Sequence, residues 1–374
     1  MKYLPVLKAK KYDIDGVAEL VSAQCTNVIP IFEMPTVDDA WLKRQHVSVQ
    51  PDKPAYLIAR TIENVANGLT NRKYVMDISS WSSDAKCLDG RHIIEHLAQQ
   101  LALHSPNAGL CLNYGAWDDI EYQKAIIANQ SMVKVIRLEQ LAIDDSVEDD
   151  LFEEKIDNIV RSLRLDKNRC YVLIDFESIY DVNIAAKYPA MDRMVRMLVK
   201  AGFKRIGVGG GSIPAEVAKF TTTNSTKFLP RKELDLFRRL LKFRGVKSPC
   251  YLDYGIRPPM ISSDFITPHA NAKLRYTVTD GYMLHRGEAK SKTSLKIQHP
   301  DMAKNVCTSN YYLKPIFSWG DRELFKCMNN KIKSGVLGIV IAIDTNHHIT
   351  FVAQEIVSLV SSRALQDMSE TEDT

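Results

Sequence analysis

Eight short apolar segments in the first two-thirds of the chain each run into a polar residue or a glycine at their C-terminal end. The segments are 3–8, 28–33, 74–77, 109–113, 133–139, 170–177, 203–210 and 249–253. Most are separated by stretches whose apolar residues recur at helical spacing. Such alternation predicts a (β/α)8 TIM-barrel-like fold of the α/β class, in which a ligand site forms at the C-terminal ends of the strands.

The stretches between these segments predict the outer helices of the barrel. They fall at 55–69, 90–104, 118–130, 147–165, 183–201 and 231–243. A doubly wound open sheet also alternates strand and helix, and it binds nucleotides at a glycine-rich turn after its first strand. Here the first strand ends in Lys8-Ala-Lys-Lys11, without glycine. The barrel is therefore the favoured architecture.

The polar termini of the predicted strands share a face with apolar residues of the same strand. Leu4, Val6 and Lys8 fall on one face because strand side chains alternate. If that face is the barrel interior, the polar termini meet at one mouth. They are Lys8, Glu33, Asp77, Asn113, Arg137, Glu139, Asp175, Glu177 and Asp253. The alternative is that the strands end in solvent, where polar residues are common.

The predicted mouth carries more acids than bases. Six carboxylates face only Lys8 and Arg137, a surplus of four negative charges if all are ionised. Such a surplus requires protonation, a divalent cation, a cationic ligand or bases from elsewhere. We predict Glu33, Asp175 and Glu177 as ligands of a Mg²⁺-type ion or as catalytic acid–base groups, with Lys8 and Arg137 stabilising anionic groups. Alternatively, some acids cap the following helices, and Lys8 with Glu33 forms an ordinary ion pair.

A glycine run follows the seventh predicted strand, where barrels often bind phosphate through backbone N–H groups. Gly209, Gly210 and Gly211 would let a phosphate approach the backbone, and Ser212 would donate to it. This pattern predicts a phosphate cradle. The alternative is a tight turn into a helix that Ser212 caps.

The pattern changes after the eighth strand. We predict a barrel over 1–256, an α+β extension packed on it over 257–365, and a disordered tail over 366–374. The extension contains a predicted hairpin, 274–278 and 281–286, and helices at 321–331 and 349–365. Before the last helix, Asn346 is a candidate cap, and Asn346, His347 and His348 are candidate ligand-binding residues that close over the barrel mouth.

Composition narrows the functional class. Of 374 residues, 45% are hydrophobic, no apolar run approaches the roughly 20 residues needed to span a bilayer, and no signal peptide is evident. The formal charge of +4 argues against nucleic-acid binding, and the basic helix near 231–244 has an ordinary solvated face. Seven widely spaced cysteines without a Cys-x-x-Cys pair indicate reduced thiols rather than a zinc site. A cytoplasmic protein that does not span a membrane is expected.

Several of these motifs together resemble the Beta protein family of bacteriophages and their satellites. They lie at 3–10, 29–33, 209–214, 253–256, 274–277, 317–321 and 345–351. The resemblance implies a protein of a mobile element in bacteria. Its satellite member belongs to the Gop–Beta–CII cassette, associated with defence against other phages, in which Beta is thought to restrain the lethal protein Gop. A Gop-like toxic partner and a CII-like protein are the partners implied.

The resemblance supplies no reaction to carry over. We therefore expect an anti-phage defence component whose barrel-mouth pocket binds a phosphate-bearing ligand and a divalent metal. The alternative is a non-catalytic, antitoxin-like regulator that restrains a co-encoded toxic protein by direct binding, with 257–310 as the contact segment. Mutations in the pocket would disable the former, and surface mutations the latter.

Overall fold

The computed structural model describes residues 1–36, 42, 45–105, 107–130, 132–259, 271–332 and 337–372. Eight parallel strands form a closed barrel in the order β1-β2-β3-β4-β5-β6-β7-β9, which confirms the predicted (β/α)8 fold. The barrel strands are β1 (Lys2–Lys8), β2 (Ile31–Glu33), β3 (Tyr74–Asp77), β4 (Ala108–Asn113), β5 (Val133–Leu138), β6 (Tyr171–Ser178), β7 (Arg205–Gly211) and β9 (Cys250–Asp253).

Helices alternate with these strands as the apolar spacing predicts. They are α1 (Lys11–Ala18), α2 (Ser22–Cys25), α3 (Gln45–Ser48), α4 (Lys53–Gly68), α5 (Ile93–His104), α6 (Ile120–Ala128), α7 (Gln140–Asp145), α8 (Asp149–Ser162), α9 (Tyr188–Lys200), α10 (Val217–Phe220) and α11 (Lys232–Leu240). Side-chain caps fix the residues at which several of these helices begin. Asp52 caps α4 by accepting from Ala55 N at 3.0 Å, and Asp119 caps α6 by accepting from Tyr122 N at 2.8 Å.

Alternation along each strand divides the core into two. One face fills the barrel with a cluster that includes Leu4, Ile31 and Val75, and the other packs against the helices. In the parallel register, Lys8 lies beside Glu33, and Glu33 lies beside Asp77. The strand ends are therefore level at one mouth.

The extension has a hydrophobic core of its own. Its antiparallel sheet has the order β10-β11-β8, formed by β8 (Ser225–Pro230), β10 (Asn271–Val278) and β11 (Gly281–Ala289), and α12 (Leu295–Cys307) and α13 (Trp319–Met328) pack on it. The β10–β11 hairpin turns at Asp280, as predicted. Strand β8 and helix α12 were missed, because the polar 225–230 and the proline-containing 295–307 lack clear periodicity.

The last helix, α14 (Leu337–Glu372), returns to the barrel. Ile349, Val352 and Ile356 belong to the core between strands and helices, so α14 takes the place of the outer helix that follows the eighth barrel strand. A β-carbon on Gly16 of α1 would lie 2.7 Å from Ala342 O, which shows how closely the two helices pack. The extension is thus inserted between β9 and α14, except for its strand β8, which comes from the segment between β7 and β9.

The region predicted as a disordered tail continues α14 as far as Glu372. Residues 373–374, and all side chains beyond Arg363, lie outside the described residues. Among the helices that the structure describes, none has both the length and the apolar character that a bilayer crossing requires.

Candidate functional site

Arg137, at the C-terminal end of β5, is the centre of an ionic network in the barrel mouth. Its side chain is 4% exposed. Nε donates to Asp175 Oδ2 at 2.7 Å, and Nη1 donates to Asp77 Oδ2 at 2.7 Å and to Glu33 Oε1 at 3.0 Å. Glu139 Oε1 lies 3.2 Å from Nε. One guanidinium therefore bridges carboxylates from four strand ends.

Lys8 and Tyr254 complete this network. Lys8 donates to Glu33 and to Pro259 O, the latter at 3.1 Å. Tyr254 accepts from Arg137 and donates to Asp175 Oδ2 at 2.8 Å. We call the group the mouth network. Its members are Lys8, Glu33, Asp77, Arg137, Glu139, Asp175 and Tyr254.

The predicted residues Lys8, Glu33, Arg137 and Asp175 thus lie in one network. Glu177 is next to it, because its backbone N donates to Asp175 Oδ1 at 2.8 Å. Counting Glu177, five acids face two bases, a formal surplus of three negative charges. The mouth is anionic unless some carboxyls are protonated.

The pKa values divide these carboxyls into two kinds. Burial alone would raise the pKa of Asp77, but Arg137 and Ser79 bring it below its ordinary value. Burial, reinforced by Asp175 and Asp77, raises the pKa of Glu139 to about 7 despite Arg137. Burial and the neighbouring Asp175 also raise the pKa of Glu177. Glu139 is therefore the carboxyl suited to exchange protons near neutral pH, and the pKa of Glu177 is shifted in the same direction.

Glu177 has an unusual backbone conformation. Its φ is 50°, in the left-handed region that side chains disfavour, and the pairing of β6 with β7 shifts register between Asp175 and Ser178. Such irregularities redirect side chains and occur often at functional sites.

A divalent cation does not fit the predicted ligand set. Both carboxylate oxygens of Glu33 accept from cationic donors, Lys8 and Arg137, and both of Asp175 also accept hydrogen bonds. The guanidinium already provides positive charge between these carboxylates. Among the described residues, no group of three or more His, Cys, Asp or Glu side chains is arranged to hold a metal.

The glycines of the predicted phosphate cradle pack closely against other parts of the protein. A β-carbon on Gly209 would lie 1.8 Å from Leu252 O, and one on Gly211 would lie 2.6 Å from Pro259. On Gly210 it would lie 2.9 Å from Glu177 O. The space that glycine opens is occupied by the protein's own atoms.

Ser212 is also used structurally. Its side chain is buried, donates to Glu233, and accepts from Lys232 N at 2.9 Å. It therefore stabilises the first turn of α11 rather than facing the mouth. Burial raises the pKa of Glu233 to about 7.

Asp253 points away from the mouth, contrary to the prediction. Leu252 and Tyr254 belong to the interior cluster, so Asp253 between them faces outward. There it accepts from Tyr3 Oη at 2.8 Å and contacts His348 Nε2 at 3.0 Å. The predicted strand ends at the observed residue, but that last residue, Asp253, lies on the opposite face from the one predicted.

The three candidate residues of the last helix lie in mid-helix, away from the mouth network. Asn346 does not cap α14, because nine residues of the helix precede it. Its side chain donates to Gly16 O at 3.0 Å and accepts from Gly320 N at 2.8 Å, which joins the barrel to the extension. All three side chains are 0–1% exposed.

His347 has an acceptor at both ring nitrogens. Nε2 contacts Thr277 O at 2.8 Å, and Nδ1 contacts Asp321 Oδ2 at 2.8 Å. A carbonyl oxygen can only accept, and Asp321 already accepts from Ser318 and Tyr276. Both ring nitrogens of His347 therefore face oxygen atoms, and Asp321 together with Thr277 O fixes the orientation of the ring.

His348 continues these contacts to the barrel, with Nδ1 2.8 Å from Thr277 Oγ1 and Nε2 beside Asp253. We call this group the histidine network. Its members are Tyr3, Asp253, Thr277, Asp321, His347 and His348.

Three residues of the mouth network, Asp77, Glu139 and Tyr254, were outside the candidate catalytic set. Tyr254 would have been found by continuing the alternation from Leu252 past the end of the predicted strand. Glu139 was placed at the mouth, but its raised pKa depends on neighbours from other strands.

The fold and the site define a (β/α)8-barrel protein with an acid-rich mouth centred on a buried arginine. The chain matches the family described as Beta protein over residues 3–354, and it belongs to that family. No curated protein matches it significantly.

Proposed function

We propose that this protein is a cytoplasmic component of anti-phage defence and that it binds a small ligand at the barrel mouth. The observation that supports the site is the Arg137-centred network, at the end of the barrel where ligand sites of this fold lie. Family membership supports the phage context. Free cysteines, including the buried Cys111, Cys170 and Cys250, are consistent with a reducing compartment.

The charge of the mouth selects the ligand class. A surplus of carboxylates repels phosphate, so the ligand that we propose for the mouth carries a cationic group or hydroxyl donors instead of a phosphate. Arg137 holds the buried acids in place. Glu139 and Glu177, with raised pKa values and partial exposure, contact the ligand and exchange protons with it.

Phage protection in cells tests this proposal. Glu139→Gln and Glu177→Gln should each abolish protection, because the amide keeps the size of the side chain but cannot exchange a proton at neutral pH. Glu63→Gln, on the exposed face of α4, is the matched control and should protect normally. Full protection by both mouth variants, at wild-type protein levels, would refute the proposed site.

A second candidate is a regulator that restrains a co-encoded toxic protein by direct binding. In its favour, the extension exposes large aliphatic side chains, with Ile316 95% and Ile297 59% exposed. Ile297→Glu combined with Ile316→Glu should then prevent recovery of the tagged toxic partner, whereas Glu139→Gln should not. If the wild-type chain never recovers that partner at moderate salt, the regulator is excluded.

A further inference from the structure

One face of the extension sheet carries a group of positive charges. Lys273 of β10 lies directly opposite Arg286 of β11 in the antiparallel register, and Arg275 follows on the same face. Tyr282 and Leu284, on this face too, cluster with residues that follow barrel strands. We call Lys273, Arg275 and Arg286 the basic face.

Like charges directly opposite each other destabilise a strand pair. Within the described part of the chain, neither Lys273 nor Arg286 forms an ion pair with a carboxylate. The carboxylate nearest to Arg275 is Asp344, 3.9 Å from Nη1, and burial raises the pKa of Asp344 well above its ordinary range. At this distance the pair is a loose one, and neither Lys273 nor Arg286 takes part in it.

Two guanidinium atoms of this group also lack an acceptor. Arg275 Nε and Arg286 Nε are shielded from water, and none of the described residues offers them a hydrogen-bond partner. A buried donor without an acceptor destabilises the folded protein. Burial, with Arg275 and Arg286 nearby, lowers the pKa of Lys273 to about 8. The protein thus maintains three cations and two unused donors at one place.

We propose that the basic face binds a phosphate group, either free or carried by a larger molecule. Guanidinium and ammonium groups are the side chains that bind phosphate, and its negative charge would offset the repulsion between Lys273 and Arg286. All three side chains are partly exposed, so a ligand can reach them. The site is separate from the mouth network, and its test does not depend on the proposed function.

Calorimetric titration of the full chain with inorganic phosphate tests the site, with sodium chloride at equal ionic strength as the reference. Lys273→Gln should weaken phosphate binding about tenfold, because it removes one charge-assisted contact. Arg275→Lys keeps the charge but removes Nε, and it should weaken binding less. Lys304→Gln, on the exposed side of α12, is the matched control and should bind as the wild type does.

A second measurement keeps the test independent of any folding defect. Without phosphate, Lys273→Gln should melt at a higher temperature than the wild type, because the like-charge pair is gone, but phosphate should no longer stabilise it. Adenosine monophosphate serves as the second ligand: tighter binding than inorganic phosphate indicates a nucleotide site, and equal binding indicates free phosphate. Wild-type chain that responds to phosphate only as it does to chloride, or a Lys273→Gln variant with unchanged affinity, overturns the proposal.

Discussion

The mouth network and the histidine network contain similar types of side chain, but they differ in burial and in how completely their polar atoms are paired. In the histidine network, His347, His348 and Asp321 are at most 1% exposed, and their polar atoms have partners. In the mouth network, Glu33 is 17% exposed and Glu139 36% exposed, and acids outnumber bases. Complete pairing makes the first network part of the packing between barrel and extension. Incomplete pairing leaves the second able to bind something else.

This difference shows why residue type alone is a poor guide to a site. A histidine pair is often a ligand-binding group, yet here it joins two regions of the protein. Glutamates at strand ends are often only solvated, yet here two of them have raised pKa values beside a buried arginine. Burial together with a complete set of partners indicates structure, and burial with a charge surplus indicates function.

The largest loss of folding stability is expected for a substitution in the histidine network. Asp321→Ala should destabilise the fold by about 3–5 kcal/mol, because it leaves the buried polar groups of His347 and Tyr276 without their shared partner. Urea unfolding at pH 7 measures the change. Asp301→Ala, on the exposed side of α12, should cost under about 0.5 kcal/mol. A loss below about 1 kcal/mol for Asp321→Ala would mean that these hydrogen bonds contribute little to the stability of the interface.

The centre of the mouth network should give a smaller, pH-dependent effect. Arg137→Met should cost about 2–3 kcal/mol at pH 7, less than a fully enclosed pair because water reaches Glu33 and Glu139. In the wild type, the lowered pKa of Asp77 contributes stability above its unfolded value of 3.8, which is lost as the pH falls through the folded pKa.

Without Arg137, burial acts on Asp77 unopposed. The deficit of Arg137→Met should therefore be larger at pH 7 than at pH 4 when unfolding is measured at both. Arg196→Met, at an exposed position of α9, should show no such pH dependence. An equal deficit at both pH values would indicate lost packing rather than lost charge.

The contribution of Glu139 to stability should depend on pH in the opposite direction to that of Asp77. Its unfolded pKa of 4.5 rises to about 7 on folding, so the wild type loses stability as the pH rises between these values. Glu139→Gln removes this loss and should be about 1 kcal/mol more stable than the wild type at pH 8, after allowance for its exposure. The two proteins should be equally stable near pH 4.5. No gain at pH 8 would contradict the raised pKa.

The smallest effect on stability is expected for the partly exposed ion pair between Lys8 and Glu33. Lys8→Met should change stability by about 0.5 kcal/mol, because Lys8 and Glu33 are 21% and 17% exposed and water screens their attraction. Thermal unfolding at low and high salt measures it. A loss above about 2 kcal/mol would place this pair with the buried networks instead.

Much of the barrel could be predicted because its signals are local. Each strand is a short apolar run, each helix has its own spacing, and the polar end of the strand over 133–139 placed Arg137 at the mouth. The glycine run could not be interpreted this way. Whether Gly209 approaches a phosphate or Leu252 O depends on a strand distant in the sequence. The start of α14 was also missed, because a helix buried on several sides lacks a polar face.

The sequence alone determined the strand–helix order, the barrel and the residue types at its mouth, because periodicity and strand termini are properties of neighbouring residues. Only the tertiary structure decided that Arg137 bridges four strand ends, that Asp253 faces outward, and that His347 pairs with Asp321. These contacts join residues far apart in the chain. Their burial and charge balance, which set their roles, exist only once the strands close and the last helix packs against them.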